Sequence, residues 1–165
     1  MSSCSRYRLL LVPLALLLAV GGVIPAAAAP PTPVSGTFTT TSATILNVRV
    51  AGGNTIIDLR TTIDYTGTFT GSSVVEGHLI IHADGSANFR DVETFTGTVN
   101  GVPGTVTWNL TGGGTIPEYY GTQVITHATG DLAGLHGVLR QVGQVLDPAV
   151  GPFGTYTGKI HGTAP

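Results

Sequence analysis

From residue 36 onward apolar and polar side chains alternate with a period of two, and few segments show the 3.6-residue recurrence of an amphipathic helix. In 104–110, Val106, Trp108 and Leu110 alternate with Thr105, Thr107 and Asn109, which turns the first set to a core and the second to solvent. In 74–82, Val75, Leu79 and Ile81 oppose Glu76, His78 and His82. The odd positions of 87–99 are the least ordinary: Phe89, Asp91, Glu93, Phe95 and Val99 place two carboxylates on one face with two phenylalanines. Strands are predicted at 36–42, 43–50, 55–63, 64–71, 73–82, 87–99, 104–111, 121–129, 136–142 and 153–162.

Turn chemistry supports the breaks between them. Gly52-Gly53-Asn54, Asp84-Gly85, Asn100-Gly101 and Gly112-Gly113-Gly114 all tolerate positive φ, and Asp84-Gly85 and Asn100-Gly101 are the strongest hairpin signals. Short antiparallel strands with turns every 8–12 residues indicate an all-β sandwich or barrel and argue against a parallel topology with helical crossovers. A closed antiparallel β-barrel of about eight strands is favoured, because 87–99 as a free edge would invite aggregation and closure removes edges. The 25 threonines fit the same reading, since β-branched side chains suit a pleated surface.

Three regions are predicted along the chain. Arg6 and Arg8 precede an apolar run from Leu9 to Val20, and Ala26-Ala27-Ala28 ends it, so residues 1–28 read as a cleavable export signal and the protein as secreted. The apolar run is about 12 residues, short of the roughly 20 needed to cross a bilayer, although retention as an anchor stays open. Residues 29–35 are a proline-rich leader, expected to be extended and outside any ladder, and residues 36–163 form one barrel domain. The only cysteine, Cys4, leaves with the signal, so the barrel is held by apolar burial and a complete ladder rather than by disulfides.

Charge and motifs narrow the function. Without Arg6 and Arg8, five scattered basic residues face nine acidic ones, which disfavours nucleic-acid binding. The chain has no Gly-x-Ser-x-Gly, Cys-x-x-Cys or His-Glu-x-x-His motif, and Gly112-Gly113-Gly114 lacks the lysine and helix of a phosphate loop, so no cofactor is indicated. His78 and His82 share a strand face but lie about 13 Å apart at roughly 3.3 Å per residue, too far for one ion. Glu76, His78 and His127 would need a fold to bring them together, so no metal site is assigned. Asn109-Leu110-Thr111 matches a glycosylation acceptor, but the lysine-poor composition and the signal look bacterial.

Several motifs in order resemble a known family. Gly67 and Gly71 stand in Tyr65-Thr66-Gly67-Thr68-Phe69-Thr70-Gly71, followed by Asp84-Gly85-Ser86-Ala87-Asn88-Phe89. Residues 93–104 follow Glu-x-Phe-x-Gly-x-x-x-Gly-x-x-Gly, and residues 130–137 follow Gly-x-Leu-x-Gly-Leu-x-Gly. Together these resemble the domain of unknown function 3224 family, whose members are similar in fold to the allene oxide cyclase barrel. The resemblance implies a small barrel with an interior cavity and brings no established activity. Read by itself, Leu132 and Leu135 between glycines suit a short helical turn near 131–135 that plugs one barrel end.

Three functions follow as expectations. The first is a secreted protein holding a small apolar molecule inside the barrel, with Phe89, Asp91, Phe95 and Trp108 as ligand-binding residues and a cavity above roughly 300 Å³. The second is a cyclase- or isomerase-like enzyme in which Glu93, its pKa raised on an apolar wall, serves as acid/base. Against it stands a structural role for Glu93, paired with Arg90 or Arg140 at the barrel rim. The third is an interaction module of the cell envelope, with a packed interior and an apolar outer patch. Tyr119 and Tyr120 are candidates to cap a cavity mouth, and oligomeric state is left open.

Overall fold

The computed structural model describes residues 30–147 and 150–162. The expected signal at 1–28 lies outside them. Eight strands run antiparallel in chain order: β1 (Thr32–Ala51), β2 (Asn54–Gly67), β3 (Phe69–Ile81), β4 (Ser86–Val99), β5 (Val102–Thr115), β6 (Glu118–Gly130), β7 (His136–Gln144) and β8 (Phe153–His161). Each pairs with its neighbours, and β8 pairs back onto β1, which closes the barrel.

Ten predicted strands become eight because two breaks are not turns. The 36–42 and 43–50 segments are one long β1 carrying irregularities between Thr40 and Ser42 and between Ile45 and Asn47, which bend the strand without ending it. The 55–63 and 64–71 segments are likewise merged, with β2 running unbroken past Ile63 to Gly67, whose φ of 98° turns the chain into β3. Gly71, where the sequence placed that turn, lies within β3 opposite Gly97, so close that a side chain would strike the β4 backbone.

The glycine triplet is also a close approach and not a turn. Gly112, Gly113 and Gly114 lie within β5, where a Cβ on Gly112 would collide with the Tyr120 carbonyl and the Phe89 ring. The reversal comes later, at the cis Ile116–Pro117 peptide. By contrast, Asn100 and Gly101, both at positive φ, form the expected two-residue hairpin between Val99 and Val102.

The leader joins the ladder from Thr32, against expectation. Thr32–Ser35 pair with Ile160–Thr157 of β8, while β2 pairing begins only at Gly36. The Ser35 N–H points away from β8, to the Thr68 hydroxyl, so Pro33, two residues earlier, directs its missing donor toward the same unpartnered side.

The interior has three levels. At the end carrying the 67–68, 100–101 and 131–135 links, Leu132 and Leu135 are buried in the core with Phe69, Val99, Val106 and Ile160. The 131–135 link is not a helix but two consecutive turns, with Ala133 N–H bonded to Gly130 O and Leu135 N–H to Leu132 O. In the middle, Trp108, Tyr65, Phe95 and Tyr156 pack edge-on, stacked or tilted against one another. The opposite end, where the 52–53, 82–85, 116–117 and 145–152 links lie, is less completely filled.

Gly36 tests the tightness of this seam. It faces Tyr156 across the β1–β8 pair, and the Tyr156 hydroxyl accepts from Phe69 N–H and donates to Thr66 O. A Cβ at Gly36 would collide with the Thr66 carbonyl and that hydroxyl. Gly36→Ala is expected to lower stability by about 2–3 kcal/mol in urea unfolding, the cost of overpacking a tight site; an unchanged midpoint would refute this packing.

Candidate functional site

Odd-numbered residues of β4 face inward, so Phe89, Asp91, Glu93 and Phe95 follow one another down the barrel wall. Glu93 is fully buried, and four side chains from four strands donate to its carboxyl group. Tyr65 Oη and Ser73 Oγ reach Oε1 at 2.8 and 2.5 Å, and Trp108 Nε1 and Gln123 Nε2 reach Oε2 at 2.6 and 3.2 Å. Behind them, Gln123 and Gln141 donate to Tyr65 Oη at 3.0 and 2.8 Å, and Tyr119 Oη donates to Gln141 Oε1 at 2.7 Å. Burial pushes the Glu93 carboxyl group above its ordinary range, while the four donors pull it back.

This arrangement overturns the rim ion pair. Arg90 and Arg140 lie on the outer face and are exposed, and the partners of Glu93 are neutral. Nor does the fold unite the histidine set. Glu76 and His78 are on β3 and His127 is on β6, with β4 and β5 between them. His78 Nδ1 instead lies 2.7 Å from Asp58 Oδ1 on the barrel wall, and this bond holds the Asp58 carboxyl group below its usual range.

Above Glu93 the barrel opens into a cavity of about 100 Å³. Leu59, Ile63, Val75, Leu79, Phe89 and Tyr119 line it, with Asp91 in the wall and Val145, Gly151 and Pro152 of the 145–152 link over the mouth. Phe89 and Tyr119 stack with centroids 5.2 Å apart. Tyr119 thus takes the mouth position expected of the tyrosine pair, and Tyr120 is exposed. Asp91 Oδ1 accepts the His78 N–H at 3.3 Å. Desolvation, reinforced by the nearby Glu93 charge and opposed by that N–H, pushes the Asp91 carboxyl group up to about 7.

The predicted ligand-binding residues therefore separate. Phe89 and Asp91 meet at the cavity, while Phe95 and Trp108 lie below it in the packed core with Glu93, which does not line the cavity. The cavity is also smaller than the roughly 300 Å³ expected of a ligand-holding lumen, because the rings of Trp108, Tyr65, Phe95 and Tyr156 occupy the barrel's middle. Tyr65, Ser73, Gln123 and Gln141 were not foreseen. Their signal was present in strand parity, since Gln123 precedes Ile125 and Gln141 follows Leu139 on inward-facing positions.

Residues 34–144 match the family described as Protein of unknown function (DUF3224). A crystal structure of a protein with unknown function from the DUF3224 family of Shewanella oneidensis MR-1 superposes with a TM-score of 0.67 at 20% identity, covering 82% of this chain and 100% of that one. Among curated proteins no match is found.

Two substitutions test these carboxyl groups. Glu93→Gln keeps the shape but sets an amide donor against donors already in place, and a loss of about 1–3 kcal/mol is expected in chemical unfolding; a neutral result would mean the four bonds are not formed. Asp91 binds its proton more tightly folded than unfolded, so its contribution to stability falls as pH rises from about 4 to about 7 and then levels off. Relative to wild type, Asp91→Asn should gain on the order of 3–4 kcal/mol between pH 3 and pH 8; thermal midpoints that run parallel across this range would disprove the shift.

Proposed function

The chain belongs to the DUF3224 family, and we propose that it is a binding protein that holds the apolar part of a small molecule in the barrel mouth. The cavity carries this reading: an apolar recess with Asp91 in its wall and Glu118 at its rim, bordered at the mouth by Val145, Gly151 and Pro152, at the one end of the barrel that side chains do not fill. Its volume of about 100 Å³ is below the ~150 Å³ of an engineered apolar cavity that takes up benzene, so it receives a short alkyl chain or part of a ring, with the remainder in the open mouth. A whole fatty acid or terpenoid would extend out through the mouth. An enzymatic reading through Glu93 is less well supported, because its carboxyl group already accepts four hydrogen bonds and stands outside the cavity wall. Binding would take place outside the cytoplasm, a reading supported by the basic, apolar and small-residue order of residues 6–28.

Benzyl alcohol serves as the probe, followed by ligand-observed NMR on the purified protein. About eight heavy atoms give a Kd in the millimolar to micromolar range. Leu79→Trp, which fills the cavity, should weaken binding by about tenfold or more while the β-sheet circular dichroism is kept. Equal affinity in a folded Leu79→Trp protein would refute the site.

One separate observation favours the interaction-module reading. Beyond Thr39, β1 has no strand partner on its β8 side among the described residues, and this stretch exposes Ile45, Leu46, Val48 and Val50. An edge with four exposed apolar side chains, no proline and one charged residue, Arg49, is a template for strand pairing. If the edge pairs with itself, sedimentation will depend on concentration for the wild type and not for Val48→Lys; a single monomeric species for both would exclude self-pairing.

A further inference from the structure

The mouth cavity is unusual in its charges as well as its apolar lining. Among the described residues lining it there are two carboxylates, Asp91 and Glu118, and no lysine, arginine or histidine. We propose, resting on the mouth-binding reading, that the molecule held there is an apolar monoamine in its protonated form, with its ammonium group against Asp91.

The geometry of Asp91 carries the inference. Its Oδ1 has one long hydrogen bond, from the His78 amide at 3.3 Å, and its Oδ2 has none among the described residues. Across the β3–β4 pair stands Gly77, where a Cβ would come within 2.8 Å of Oδ1, so the absence of a side chain there lets the carboxyl group occupy the wall. A largely buried carboxylate with a free oxygen gains most from a cation that enters with it, because pairing offsets the desolvation each charge would otherwise suffer alone.

The surroundings point the same way. Phe89 and Tyr119 line the same cavity as a stacked pair, offering π-surface to a cation. The Tyr119 hydroxyl is engaged with Gln141 and does not serve an anion. An anionic ligand would meet two acidic groups and no basic partner, and Glu118 at the exposed rim adds negative potential on the entry path.

The groups facing Asp91 make the pH response readable. Glu93 follows it on β4, Tyr119 approaches from β6, Leu110 is its β5 partner, and β3 presents the His78 amide while the imidazole pairs with Asp58. Asp91, raised to about 7, is mostly protonated at pH 5 and mostly ionised at pH 8. Amine affinity should therefore rise over that interval, while the affinity for a neutral ligand of the same shape should not.

The test compares benzylamine, benzyl alcohol and benzoate by calorimetry on the purified protein. At pH 8 benzylamine should bind about tenfold or more tightly than benzyl alcohol, which corresponds to one charge-assisted contact. That preference should fall below about threefold at pH 5 and, at pH 8, in Asp91→Asn, with benzyl alcohol binding retained. Equal affinities for amine and alcohol in the wild type, or tighter binding of benzoate, would overturn the amine inference and leave the mouth-binding reading standing. Binding of none of the three would overturn both. A full amine preference in Asp91→Asn would remove Asp91 as its cause, and the wild-type pH profile decides the matter if that variant does not fold.

Discussion

The Glu93 carboxyl group is the point on which the barrel's order depends. Its donors come from β2, β3, β5 and β6, and Gln141 of β7 joins through Tyr65, so one β4 side chain ties six strands together. A one-residue slip in any of these pairings would carry a donor to the outer face and leave a buried acceptor unserved. Apolar packing alone would tolerate several registers in a threonine-rich sheet whose outer face repeats Thr and Val. The buried carboxyl group accepts far fewer.

That polar layer also divides the interior. Below it, Leu132 and Leu135 fold inward from the 131–135 link and complete an aromatic core. Above it, Asp91 is the next inward residue on β4, and no comparable set of donors converges on it. The two carboxyl groups lie on one strand and face one way, yet one is enclosed by partners and the other borders a cavity. Of the two, only Asp91 retains spare hydrogen-bonding capacity.

Much of the fold was legible because strand parity is a local property. Val106, Trp108 and Leu110 are inward as their alternation predicts, and Asn100-Gly101 turns as its backbone freedom suggests. Several errors were about glycine and proline, whose meaning depends on what lies across the ladder. Gly112 reads as a turn residue until Phe89 and Tyr120 are seen pressing on it, and Pro33 reads as a strand breaker until its donor side proves unpartnered. The inward placement of Asp91 and Glu93 followed from the sequence. Their different environments did not, because Gln123 and Gln141 belong to strands remote in sequence and the space above Asp91 is bordered by Val145, Gly151 and Pro152 from farther still along the chain.

That link is fixed at both ends by main-chain bonds. Val145 N–H bonds to Pro117 O, and Pro152 O accepts from Thr40 N–H and the Thr40 hydroxyl. The family match stops at Gln144, just ahead of it. The described residues of the link belong to no strand, yet Val145, Gly151 and Pro152 border the recess. Residue changes in this stretch would therefore reshape the border of the recess without removing a pairing from the barrel's ladder.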